Sequence, residues 1–162
     1  LCALRWQDID TEEGILHIRH TLQRVQNLPE QVAKLGKTRL LLDTPKNHKE
    51  RTIPIHPQLR SWLEEKKKLH SDADFVLSGN LKPVEPRTMT SWFKKFCKTH
   101  GLRDFKFHTL RHTFATRCIE SGMDIKVLSE LLGHSSVKIT LDRYVHPSME
   151  YKKSQISSLC MS

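Results

Sequence analysis

The 162-residue chain has little that suits it for cross-linking or for metal chemistry. Its four cysteines, Cys2, Cys97, Cys118 and Cys160, stand far apart, so there is no CxxC pair and no zinc spacing. Their apolar or helical settings mark them as reduced thiols of a cytoplasmic protein, most of them core fillers. Ten histidines are many for this length. No HExxH is present, however, and acidic residues do not gather near them, so neither a metal nor a cofactor is expected. Long apolar runs are missing too. Leu40-Leu41-Leu42 is among the longest, against the roughly 20 residues that cross a bilayer, so no membrane association is expected. No basic-then-apolar leader opens the sequence. Leu1 begins in mid-pattern, as a piece of a longer protein would. Negative charge is also short: 18 Asp and Glu face 27 Lys and Arg, for a net charge of +9.

What is present is a globular composition, 37% hydrophobic and 28% charged, long enough for one domain with one filled core. The positive excess speaks to partners rather than to fold, and it points to a polyanion. It is also uneven. Residues 82 to 117 hold nine Lys or Arg against Glu85 and Asp104 alone. Residues 34 to 70 hold ten against four. Runs such as Lys66-Lys67-Lys68 are ordinary solvated surface, but two long basic segments favour a phosphate-rich ligand with salt-sensitive affinity.

Along the chain, Leu1 to Trp6 reads as the end of a helix. Residues 14 to 25 alternate apolar and polar and read as a strand. Two further alternating runs, Arg39 to Thr44 and Arg51 to Ile55, flank a turn-rich loop from Pro45 to Glu50 and read as a hairpin. Pro57 opens a helix through Lys66, and Phe75 to Ser78 reads as a short strand. Pro86 starts a helix with Met89, Trp92, Phe93 and Phe96 on one stripe, and Gly101 ends it. A helix from about His108 to Gly122 carries Leu110, Phe114, Ala115 and Cys118. Asp124 caps a short helix closed by Gly133. Ser135 or Ser136 caps the next, with Val137, Leu141 and Tyr144 on one face, and Pro147 begins a last polar helix. The fold class is α+β, mostly helical with a small antiparallel three-stranded sheet.

Phosphodiester cleavage without a metal needs a nucleophile, cations on the nonbridging oxygens and an acid for the leaving oxygen. His108 and Arg111 lie at i and i+3, on the helix face opposite Leu110 and Phe114. A guanidinium there can grip phosphate through two parallel bonds, and His108 sits where free amides at a helix start favour an anion. His134 lies in a tight turn, and Tyr144 follows ten residues later. Taken singly, each has an ordinary explanation: a turn histidine, a core tyrosine and, for Lys46, a solvated loop lysine.

Their order and spacing are not ordinary. His108-Thr-Leu-Arg111-His112-Thr-Phe-Ala-Thr116, Leu131-Leu-Gly-His134-Ser-Ser136 and Thr140-Leu-Asp-Arg-Tyr144 together resemble the tyrosine recombinase (phage integrase) family, especially integrases of bacterial phages and conjugative elements. Thr44-Pro-Lys46 through Arg51-Thr-Ile-Pro-Ile55 resembles that family's lysine-bearing hairpin. The opening Leu1-Cys-Ala-Leu4-Arg-Trp6-Gln-Asp8-Ile9-Asp10 resembles the start of its catalytic domain. The resemblance covers residues 1–162 and implies a catalytic domain that acts on double-stranded DNA without metal or ATP. It implies Tyr144 as the nucleophile that forms a 3′-phosphotyrosine. Arg111 then binds nonbridging oxygens, His108 moves protons, His134 donates to the phosphate and Lys46 protonates the leaving 5′ oxygen. Tyr151, in a polar tail, is a poor nucleophile.

The family's first arginine precedes the Leu1–Asp10 pattern, so it is expected upstream of Leu1 together with the amino-terminal DNA-binding domains. Arg5 falls inside that pattern and is not assigned. The 162 residues alone are therefore expected not to cleave. The resemblance further implies a homo-oligomer, a tetramer on DNA, whose tail after Tyr144 docks in cis or on a neighbour. It also implies accessory excision or bending proteins and a bacterial, nucleoid-associated location. A catalytically inactive DNA-binding relative and a type IB topoisomerase-like enzyme are the alternatives.

Overall fold

The computed structural model describes residues 1–30, 32, 36–44, 50–145 and 149–157. The chain forms two compact units, Leu1–Phe105 and Lys106–Ser162.

The first unit opens irregularly. Residues 1 to 5 form a turn, not the expected helix end, and a 3-10 turn covers Trp6–Asp8. The cause is long-range pairing. Trp6 and Gln7 donate their amides to the carbonyls of Asp74 and Asp72, and Val76 donates to Leu4, so this backbone is satisfied by a distant loop. Asp8 secures the turn by accepting from the Arg5 amide at 3.0 Å. The strand expected at Phe75–Ser78 is a turn, in which Phe75 makes only isolated bridges to Arg5 and Asn80.

The strand expected over residues 14 to 25 is two strands in two sheets. β1 (Ile9–Asp10), β2 (Ile15–Ile18) and β5 (Arg51–Pro54) form an antiparallel sheet in the order β1-β2-β5. β3 (Thr21–Gln26) and β4 (Thr38–Asp43) form a separate ribbon. The expected hairpin between residues 39–44 and 51–55 is thus corrected: β4 pairs with β3, and β5 pairs with β2. One ladder closes at Ile18↔Arg51 and the other opens at Thr21↔Asp43. Arg19 and His20 link β2 to β3 on the outgoing arm. Lys46, expected in the hairpin turn, lies outside the described residues.

α1 (Pro57–Lys67) and α2 (Pro86–Thr99) both start at proline, as expected. Leu63 of α1 joins Trp6 and Ile9 in a buried cluster, flanked by Leu4, Leu16, Ile55 and Val76. Lys67 closes it from the side by donating to the Ile9 carbonyl at 2.7 Å. On α2 the inward residues are Met89, Phe93 and Cys97, spaced by four. Trp92 and Phe96, expected on the core stripe, are each 53% exposed, because they lie one position round from it. Arg24 ties the ribbon to the start of α2, bonding Glu85 at 2.6 Å and Thr38 at 2.7 Å. The Arg24 guanidinium holds the Glu85 carboxyl below its ordinary range.

The second unit contains α3 (Thr109–Glu120), α4 (Ile125–Leu132), α5 (Val137–Tyr144) and α6 (Met149–Ser157). Ala115, Cys118, Leu128 and Leu132 form its buried cluster, with Ile119, Met123 and Tyr144 against it. Leu110 and Phe114, assigned to the α3 stripe, are half exposed, because the buried edge runs through Ala115 and Cys118 instead. Asp124 caps α4 through the amides of Lys126 and Val127. Gly133 ends it at φ 69°, a left-handed conformation that glycine adopts without a Cβ penalty. Ser136, not Ser135, caps α5. The expected helix start at Pro147 lies outside the described residues. Cys2, Cys97 and Cys118 are buried free thiols, and burial pushes those of Cys2 and Cys118 up. Among the described residues, no helix is long and apolar enough to cross a membrane.

Candidate active site

In the second unit the candidate residues gather where three helices meet. His108 is the N-cap residue of α3, and Arg111 lies one turn in. The Arg111 Nη2 donates to the carbonyl of Leu132, the last residue of α4, at 2.7 Å. That bond gives an orphan helix-end carbonyl a partner and fixes the guanidinium at the same time. Gly133 then reverses the chain, and the His134 amide returns to the Ser129 carbonyl at 3.0 Å. One turn of geometry therefore positions both Arg111 and His134.

Tyr144 is the last residue of α5, and its ring packs against the Ala115/Cys118/Leu128/Leu132 cluster. The His134 ring lies nearly parallel to it, 6.5 Å between centroids and 10° between planes. The His112 ring is 5.5 Å from Tyr144 and meets His108 edge-on at 4.9 Å. The Tyr144 hydroxyl oxygen is buried and has no hydrogen-bond partner among the described residues. Of the residues singled out from the sequence, His108, Arg111, His134 and Tyr144 thus share one unit. Lys46 lies outside the described residues. Arg5, in the first unit, sits over the Phe75 ring at 4.9 Å.

Two contributors were missed from the sequence. His112 directly follows Arg111, and its ring contacts those of both His108 and Tyr144. Thr140 is completely buried, and its Oγ1 is 2.8 Å from His134 Nδ1. Its signal was available: Thr140 lies four residues before Tyr144, and so on the same face of α5.

Electrostatically the cluster is positive. The His108 imidazole binds its proton less tightly than an ordinary histidine, first because burial disfavours the charged form. The neighbouring charges of His112, Arg111 and Arg143 add to the effect. A site with this balance suits an anion, whose charge would offset that crowding. Among the described residues no three His, Cys, Asp or Glu side chains converge to hold a metal ion.

The sequence matches the phage integrase family across residues 1–151. The chain belongs to the phage integrase family. A tyrosine recombinase XerC-like protein of Caldanaerobacter subterraneus subsp. tengcongensis is 31% identical over 98% of the chain and 44% of the relative. Tyrosine recombinase XerC of Chlamydia caviae is 37% identical over 67% of the chain and 37% of its own length. The chain therefore spans less than half the length of these relatives. Among solved structures, the Tn1549 transposon integrase in complex with a circular intermediate DNA superposes with a TM-score of 0.74 at 23% identity. The match covers 98% of this chain and 53% of that one. XerA recombinase gives a TM-score of 0.59 at 21% identity, over 96% of this chain and 50% of that one. These likenesses establish the α+β fold, a small antiparallel three-stranded sheet with helices, as that of the family's catalytic domains.

Proposed function

We propose that this chain is the catalytic domain of an integrase that cleaves and rejoins double-stranded DNA at specific sites through a 3′-phosphotyrosine. The observation that carries the proposal is the grouping of Arg111, His134 and Tyr144 around one helix-to-helix turn, in a chain whose family includes site-specific recombinases. The Tyr144 oxygen attacks the scissile phosphorus as the bond to the 5′ oxygen breaks. The phenolic proton passes to His108, and Lys46 gives its proton to the departing 5′ oxygen. Arg111 and His134 offset the charge that builds on the nonbridging oxygens. A phenol with a pKa of about 10 needs a cation such as the Arg111 guanidinium, or a base, beside it to react at neutral pH. Attack by a free 5′ hydroxyl reverses these transfers, so the bond energy is conserved and no ATP is needed.

The same reading assigns duplex DNA as the partner, which also fits the net charge of +9. It extends to a homotetramer on paired sites, to accessory excision or bending proteins, and to a cytoplasmic, nucleoid-associated location in a bacterium. The exposed Met149 and Ile156 of α6 fit a tail that docks in cis or on a neighbouring protomer. The test is trapping on a nicked suicide duplex, with the protein extended upstream of Leu1 to include the family's first arginine. Wild type should form a covalent adduct, in EDTA as well, and Tyr144→Phe should form none while DNA binding is retained. Adduct formation by Tyr144→Phe would refute the assignment.

A further inference from the structure

We propose that Thr140 is a positioning residue, which sets the tautomer of His134 so that its Nε2 carries the proton offered to the phosphate. The inference rests on the recombinase reading for its purpose, but on the geometry of α5 for its substance.

Thr140 is fully buried, so its hydroxyl cannot turn to water. A threonine in that position ordinarily donates to the carbonyl one turn back, as Thr90 does to Pro86 and Thr113 to Thr109. Thr140 makes no such bond among the described residues. Its described hydroxyl partner is His134 Nδ1, at 2.8 Å. A hydroxyl carries one hydrogen, and leaving that hydrogen unpaired in a dry environment is costly. Donation to Nδ1 pairs it, and that requires Nδ1 to be the unprotonated nitrogen of the ring. In a neutral imidazole the proton then resides on Nε2. The opposite tautomer would place an N–H against the hydroxyl and strand its hydrogen.

The position of the ring makes the choice consequential. His134 lies parallel to the Tyr144 ring, and its backbone is fixed by the amide bond to Ser129 and the turn at Gly133. In the neutral ring the tautomer decides whether Nε2 donates or accepts. A phosphate oxygen can use only a donor.

The test reads the tautomer directly, from the 15N shifts of His134 in the 162-residue chain at a pH where the ring is neutral. The wild type should show the Nε2–H form. Thr140→Val, close in shape but without the hydroxyl, should show a mixture or the Nδ1–H form, and Thr140→Ser should restore Nε2–H. In the upstream-extended protein, Thr140→Val should slow single-turnover cleavage about tenfold or more without weakening DNA binding, and Thr140→Ser should cleave near the wild-type rate. A wild-type His134 in the Nδ1–H form overturns the proposal, even where the valine variant fails to fold. An unchanged tautomer or unchanged cleavage in a folded Thr140→Val overturns it equally. Failure of the wild type to form any adduct would refute the recombinase reading instead, while the nitrogen shifts would still decide the role of Thr140.

Discussion

Arg111 joins a structural bond to the chemistry proposed for it. Its bond to the Leu132 carbonyl leaves the rest of the guanidinium fork for an anion, and a lysine has one nitrogen for both tasks. Arg111→Lys should therefore lower the adduct-forming rate about a hundredfold or more, and should cost about 1 kcal/mol in urea melts. His108 makes a prediction about pH. Its proton affinity is lowered in the fold by burial and by the charges of His112, Arg111 and Arg143. The unfolded chain then binds that proton more readily, so stability is highest above the ordinary histidine range and falls as pH drops through it. Denaturation of His108→Gln, followed from pH 8 to pH 5, should show a smaller loss than the wild type. An equal or larger loss would mean that other groups dominate the acid response.

At the scale of elements, local signals were legible and long-range pairings were not. Asp124, Gly133, Pro57 and Pro86 mark helix ends because a cap or a missing amide acts within one turn of its own residue. Asp124→Ala should accordingly cost about 1 kcal/mol, read from thermal melts. Gly133→Ala should cost about 1–2 kcal/mol, since the left-handed turn penalises a Cβ. It should also disturb His134, one residue on, visible as lost cleavage out of proportion to lost stability. The strands tell the opposite story. The alternation from Gly14 to Val25 runs straight through Arg19 and His20, yet the halves pair with different partners. Alternation states which face a residue takes, not which neighbour it meets. Leu1–Trp6 misread as helix for a related reason: the Trp6 amide donates to Asp74 and the Leu4 carbonyl accepts from Val76, pairings which no local pattern reveals. The candidate site was legible as residue types in order, and the spacing of Thr140 from Tyr144 places both on one face, but the burial of Thr140 and the ring contacts of His112 are tertiary facts that no spacing carries.

The whole molecule carries its positive charge on two compact units. Weak binding of the 162-residue chain to duplex DNA should fall steeply with added salt, at a log–log slope of about −0.9 per phosphate contacted. Binding indifferent to salt would contradict an electrostatic origin. Each unit also has its own buried cluster, around Trp6, Ile9 and Leu63 in one and around Leu128 and Leu132 in the other. Leu128→Ala should thus destabilise the second unit by about 2–5 kcal/mol. The three buried thiols turn this into something that can be timed. Cys2 and Cys97 are sealed in the first unit and Cys118 in the second, so alkylation of each is a stopwatch on the opening of its own surroundings. With Cys160 replaced by serine, mass spectrometry after a labelling pulse would show whether the halves of the chain open in concert or one at a time, with no engineered probe at all.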